Sequence, residues 1–261
     1  MVTLEEVSVA YRVKGGSLRA LEAASAVFPT GSLTALVGPS GCGKTSLIGA
    51  MAGLLPPAAG RIAVDGEELR GIRHRTAVIF QDGGLLPWKT VRANAELPLV
   101  LRGIPARERR LMVDPILEEL GLIDFSSFHP ARLSGGMRQR LGVARALACE
   151  PDLLLMDEPF SSLDALTRES LQDGLIEVRR RHAVTMVLVT HSIEEALLLS
   201  DRVVVFTARP GRVRDIVDVP ISRPRSAATR TDPTFIALAD KLRGYFLAGS
   251  GEADTHAQAA S

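Results

Sequence analysis

The sequence predicts an α/β fold with a mainly parallel sheet, flanking helices, an N-terminal antiparallel β region and an inserted helical subdomain. Short, β-rich apolar runs at residues 152–156, 184–190 and 202–206 read as strands buried on both faces. Helical stretches separate such runs, which implies crossover connections between parallel strands. A glycine-rich turn, Gly38-Pro39-Ser40-Gly41-Cys42-Gly43-Lys44-Thr45, lies between an apolar strand and a helix, the context that a phosphate-binding loop requires.

In chain order, residues 2–10 form the first strand, which ends at Tyr11. Residues 33–37 form the next and run straight into the glycine turn, and residues 43–51 form the helix behind it. Glycines let backbone N–H groups turn inward around anionic oxygens at the positive end of that helix. Lys44 adds a point charge for the β- and γ-phosphates, and the Thr45 hydroxyl suits Mg²⁺. A dinucleotide site fits poorly, because Gly-x-Gly-x-x-Gly does not occur and the lysine would have no task. Cys42 lies near Lys44 and a helix N-terminus, and both predict a lowered thiol pKa.

Residues 61–64 and 76–80 are further short strands, with Gln81 directly after the second. The stretch 85–139 contains no convincing strand and reads as the inserted helical subdomain. Residues 107–120 and 136–147 are its helices, the first kinked at Pro115. Ser134-Gly135-Gly136 opens the second helix, with Ser134 suited to cap it. Leu85, Leu86 and Trp88 are apolar residues in a loop and have two readings, a surface that receives a partner or a small satellite core.

Asp157 and Glu158 close the run at 152–156, and strand carboxyl ends in such sheets face the ligand crevice. Asp157 is then the metal-holding carboxylate, and Glu158 orients and deprotonates a water, a contribution of ~10²–10⁴ in rate. Two helix-capping acids before Pro159 is the plainer alternative, but it leaves the apolar approach unexplained. Residues 165–182 read as a helix with Leu171, Leu175 and Val178 on one face, and His191 follows the strand at 184–190. Residues 1–248 are expected to form a single domain, and 249–261, with almost nothing to bury, a disordered tail.

Net charge of +1 over 261 residues gives no bulk pull toward nucleic acid. Two cysteines, far apart and without metal-ligand spacing, argue against a disulfide framework or a zinc site. The N-terminus lacks the pattern of a secretory signal, and no run approaches the ~18–20 apolar residues of a membrane span. A cytosolic protein is expected, docking onto another chain if it serves a membrane.

The glycine loop, the turn Leu133-Ser-Gly-Gly-Met-Arg-Gln-Arg140 and the run Leu153-Leu-Leu-Met-Asp157-Glu158, in this order, resemble the ATP-binding cassette (ABC) ATPases over about residues 2–246. The resemblance implies a RecA-like core, ATP and Mg²⁺ as cofactors, and a head-to-tail homodimer with two sandwiched nucleotides. Ser134, Gly135 and Gly136 of one subunit would close over the γ-phosphate held by the other. By the same resemblance Tyr11 stacks on adenine and Ser46 joins the loop residues Gly38–Thr45 around the nucleotide. Gln81 links metal and water to the helical subdomain, His191 contacts the γ-phosphate, and Ser162-Leu163-Asp164 resembles the loop through which subunits communicate. Met137 stands where the family has Gln, with Gln139 two positions on.

The stretch from Gln81 through Trp88 to Leu99 looks like the nitrate, taurine, aliphatic-sulfonate and thiamine-precursor importer group. That implies a peripheral ATPase on the cytoplasmic face of the inner membrane, paired with permease subunits and served by an extracytoplasmic solute-binding protein. An exporter ATPase and a non-transport ABC ATPase are the alternatives. The latter usually carry long coiled coils, two cassettes or basic arms, none of which occurs here. Only about forty residues follow Pro220, too few for the regulatory β-domain of sugar importers. By the resemblance the solute never touches this subunit.

Overall fold

The computed structural model describes residues 1–257 apart from Asp82, Ser162 and Ala183, and leaves aside the side chains of His182, Ala227 and residues 247–257. The chain forms two compact units, Met1–Ile72 with Val187–Ser261, and Arg73–Met186.

In the first unit, β1 (Val2–Val13) and β2 (Gly16–Phe28) pair antiparallel, as expected for the N-terminal region. β3 (Leu33–Val37) leads to α1 (Lys44–Met51), and β4 (Ala59–Val64) and β5 (Glu67–Glu68) complete a sheet of order β2-β1-β4-β5. The sequence of β1 changes phase: Val2 and Leu4 are buried, then Val7 and Val9. Side chains alternate with period two, so both pairs reach one face only if an extra residue is inserted between them. The register shifts there between Leu4 and Val7, with Glu6 at φ 48°.

The second unit holds β6 (Thr76–Ile79), then α2 (Val91–Ala95), α3 (Leu97–Leu101), α4 (Ala106–Glu119) and α5 (Gly135–Leu147). β7 (Leu153–Asp157) and α6 (Ala165–His182) follow. Four helices therefore interrupt the chain between two strands that pair with each other, as an inserted helical subdomain should. β6 and β7 run parallel, with Ile79 opposite Met156, so the next residues on each strand are Phe80 and Asp157. Pro115 lies inside α4. Leu171, Leu175 and Val178 form the buried face of α6.

The chain returns to the first unit within β8 (Thr185–Val189) and continues through α7 (Ile193–Leu199), β9 (Arg202–Phe206), β10 (Val213–Asp218) and α8 (Pro233–Ala257). β3 pairs parallel with β9 from Thr34↔Arg202 to Val37↔Val205, and β10 adds an antiparallel edge to β9. Every residue of β3 and β8 is buried, which accounts for their largely apolar sequences, each with a single threonine. Ala35, Val37, Val203 and Val205 pack with Leu197 of α7 and with Phe235, Ala239 and Leu242 of α8. α8 runs from Pro233 to Ala257.

Candidate active site

In the first unit the phosphate loop begins where β3 ends. The β3–β9 register sets Gly38 against Phe206, and a Cβ at residue 38 would lie 2.9 Å from Phe206 Cβ. Gly43, just before α1, has φ 97°, and a Cβ there would stand 2.6 Å from the Ala20 carbonyl oxygen. Both the backbone angle and the close approach therefore require glycine. Lys44 is buried, and its Nζ donates to the carbonyls of Gly38 at 2.8 Å and Pro39 at 3.0 Å. The loop's own backbone thus holds the ammonium in place, a cation ready for phosphate.

Tyr11 Oη donates to Ser46 Oγ at 2.9 Å, tying the end of β1 to α1 while the ring remains partly exposed. Ser40, Gly41 and Thr45 are exposed, whereas Cys42 is 1% exposed. The expected lowering of the Cys42 pKa is overturned: burial pushes the thiol up and outweighs the opposing Lys44 ammonium. Gly211 is a contributor that the sequence did not disclose. A Cβ on it would come within 2.0 Å of the Cys42 carbonyl oxygen, so only glycine lets this segment back the loop. His191 is exposed two residues after the end of β8. The turn around it is fixed by Thr190, whose Oγ1 donates to Glu195 and accepts from the Ser192 N–H, and by Ser192, whose Oγ caps α7.

In the second unit a cavity of ≈ 650 Å³ is lined by Phe80, Gln81, Gly83, Gly135, Arg138, Gln139 and Asp157. Three stretches far apart in sequence converge there. The β6–β7 register delivers Gln81 and Asp157, and the start of α5 delivers Gly135 and Gln139. Ser134 Oγ accepts from the Met137 N–H at 3.2 Å, the predicted N-cap. A Cβ on Gly136 would meet Thr167 Cγ2 at 2.1 Å, so α6 packs tightly under this turn. Asp157 is 8% exposed, and Glu158 beside it has φ 49°, a left-handed backbone that costs a non-glycine residue about 1–3 kcal/mol. Asp164 Oδ1 accepts from the Thr167 N–H at the start of α6, and Ser162 lies outside the described residues.

Three side chains to which sequence reasoning gave no such role hold the stretch after β6. Gln139 Nε2 donates to the Gln81 carbonyl at 3.0 Å. Arg145 donates to the carbonyls of Gly83 and Gly84, both at 2.7 Å. Asn94, fully buried, accepts from the Leu86 N–H at 2.8 Å and donates to the carbonyls of Leu86, Lys89 and Thr90. The only hint in the sequence was a polar residue within an apolar helical run, as Arg145 is in Leu141–Leu147. Burial lowers the Arg145 guanidinium pKa, and the two carbonyls compensate part of the lost hydration. Trp88 is 71% exposed and Leu85 and Leu86 are half-buried, so the satellite-core reading fails for the tryptophan.

The candidate metal donors are the Thr45 hydroxyl, the Asp157 carboxylate and the Gln81 amide oxygen, all hard oxygens of the kind Mg²⁺ takes. Among the described residues no cluster of three or more His, Cys, Asp or Glu could cage a metal. Mg²⁺ commonly binds through one or two carboxylates and completes its shell with phosphate oxygens and water. Among the described residues no helix is long and apolar enough to cross a membrane.

The ABC transporter family profile matches residues 21–161. The taurine import ATP-binding protein TauB of Rhizobium johnstonii is 41% identical over 250 residues, covering 93% of this chain and 95% of that protein. The bicarbonate transport ATP-binding protein CmpC of Synechococcus elongatus is 41% identical over 94% of this chain, which spans 38% of that longer protein. A solved dimeric ATP-binding cassette in a post-hydrolysis state with ADP and Pi superposes with TM-score 0.75 at 28% identity, covering 85% of this chain and all of that one.

Proposed function

This chain belongs to the ABC transporter family as an ATP-binding subunit that hydrolyses ATP, and on that premise we propose that it powers uptake of a small solute through a partner permease. The solute class is that of nitrate, taurine, sulfonates or thiamine precursors. The subunit works as a homodimer, docked on permease subunits at the cytoplasmic face of the inner membrane, with an extracytoplasmic binding protein delivering the solute. The observation that carries import is the likeness to a taurine import subunit along nearly the whole of both chains.

We infer the residue roles from the family resemblance together with residue chemistry. The loop Gly38–Ser46 cradles the phosphates, with Lys44 supplying positive charge and Tyr11 stacking on adenine. Thr45, Asp157 and Gln81 would hold Mg²⁺, which when bound neutralises charge on the β- and γ-phosphate oxygens. Glu158 orients the attacking water and takes its proton, and His191 contacts the γ-phosphate. Ser134, Gly135 and Gly136 act on the nucleotide bound by the other subunit.

Trp88 gives the test, since it is exposed in the stretch held by Asn94. Trp88→Ala should weaken assembly with the partner permease, or uncouple ATP use from solute uptake, while hydrolysis by the isolated subunit stays largely intact. Trp88 is the only tryptophan, so its emission should also shift when that permease is added. Unaltered assembly and coupling in the variant, with no shift in the parent, would remove the docking role.

A further inference from the structure

We propose that Gln139 and Arg145 are positioning residues that fasten the backbone carbonyls of Gln81, Gly83 and Gly84 to α5, so that Gln81 moves with the helix that begins at the Ser134 turn. This rests on the reading of Gln81 as a residue that acts at the metal and water. Every described carbonyl named in the fastening is taken by α5: Gln81 by Gln139 at 3.0 Å, and Gly83 and Gly84 by Arg145 at 2.7 Å each. The partners are 58, 62 and 61 residues apart, so the link belongs to the tertiary fold and not to a local turn. Between the two donors sits Gly142, where a Cβ would be 3.8 Å from both Gly83 Cα and the Gly83 oxygen, so the loop lies directly on the helix.

The donors have the properties that a rigid link needs. Gln139 is 4% exposed and lines the same cavity as Gln81 and Asp157. Its Oε1 is buried without a partner, so the side chain is held there by its Nε2 bond and by packing. Arg145 is half-buried, and its planar fork binds two successive glycine carbonyls in a geometry that lysine cannot reproduce. Glycines 83 and 84 have φ of 72° and 54° and no side chains to brace the turn, so its shape depends on contacts made by its carbonyls. On α5 the Ser134 cap fixes the helix start, four and ten residues before these donors in the same rigid element. A displacement at the nucleotide-facing turn is therefore passed to Gln81 without a flexible joint.

The test is steady-state ATP hydrolysis by the full chain carrying Gln81→Ala, Gln139→Leu, Arg145→Ala or Arg145→Lys, and the double variant Gln81→Ala/Gln139→Leu. Gln139→Leu and Arg145→Ala should lower kcat roughly ten- to a hundredfold, as misplacement of an aligned group does, with little change in KM for ATP. Arg145→Lys should recover only part of the loss. The double variant should be no slower than Gln81→Ala alone, because Gln139 acts through Gln81. Additive losses, or clamp variants at parental kcat while Gln81→Ala is impaired, overturn the fastening. Parental kcat in Gln81→Ala instead removes the role of Gln81 itself, and the proposal with it. If Arg145→Ala fails to fold, Gln139→Leu and the double variant decide, since that change removes one hydrogen bond at nearly constant volume. A fall in kcat and a rise in KM together with a lowered unfolding midpoint would mark a merely structural role.

Discussion

Glu158 stands one residue past β7 with φ 49°, in a region that disfavours any residue with a side chain. Such strain persists only where the surroundings over-determine it, and here the buried strand before it and buried Pro159 after it leave the backbone little choice. The strain aims a carboxylate away from the path that the strand would have given it. Glu158→Gln keeps the shape and removes the proton acceptor. ATP binding should be preserved, phosphate release should fall by at least ~10²-fold, and the variant should accumulate as an ATP-bound dimer on size-exclusion chromatography. Near-parental phosphate release would remove Glu158 from the proposed mechanism. Cys42 shows the opposite relation between sequence and chemistry. Its neighbours in the chain favour a thiolate, but 1% exposure reverses the balance.

Among the elements, the β6–β7 pair decides where the acidic end of the site falls. A slip of one residue would turn Asp157 to the other face of the sheet. The register is pinned at the strand starts, where the Asp152 N–H donates to the Arg75 carbonyl at 3.0 Å and the Arg73 guanidinium grips the Asp152 carboxylate with both Nη atoms. Arg73 holds the Asp152 carboxyl below the usual carboxylate range, chiefly through that hydrogen bond. A depressed carboxylate pKa contributes stability that is present above the unfolded value and lost as pH falls through the folded one. Arg73→Met should therefore cost about 1 kcal/mol near neutral pH, the upper end for a partly exposed pair. The difference from the parent should shrink as pH drops below the carboxylate range, read from urea midpoints at a series of pH values. A difference independent of pH would show that the arginine acts through packing alone.

For the molecule as a whole, the phosphate loop belongs to one compact unit and the Ser134 turn to the other. In the proposed homodimer each nucleotide is completed by the turn of the opposite subunit. Lys44→Ala and Ser134→Arg should each abolish hydrolysis alone. Their mixture should regain part of it, because one heterodimer then contains one site with both elements intact. A mixture that stays inactive, with heterodimers verified by differential tagging, would exclude a functioning single composite site.

Much of the site was legible because its chemistry is written in near neighbours. Glycines before a helix, a serine before a helix, a lysine six residues after Gly38 and two acids closing an apolar run are all short-range patterns. The parallel strands were visible for the same reason, since burial on both faces removes polar residues from them. The long β2 and the edge strand β10 were not, because one-sided or marginal burial leaves a weaker pattern. What only the tertiary structure decided are effects of partners distant in sequence: Gly211 backing the phosphate loop, burial raising the Cys42 pKa, Asn94 and Arg145 gathering carbonyls of the stretch after Gln81, and Gln139 reaching the Gln81 carbonyl. The sequence by itself determined which groups could bind phosphate and activate water, because those capacities belong to residue types and their local backbone. Their solvation and mutual placement were decided by the fold, because desolvation and hydrogen-bond geometry depend on which distant atoms come to lie a few ångströms away.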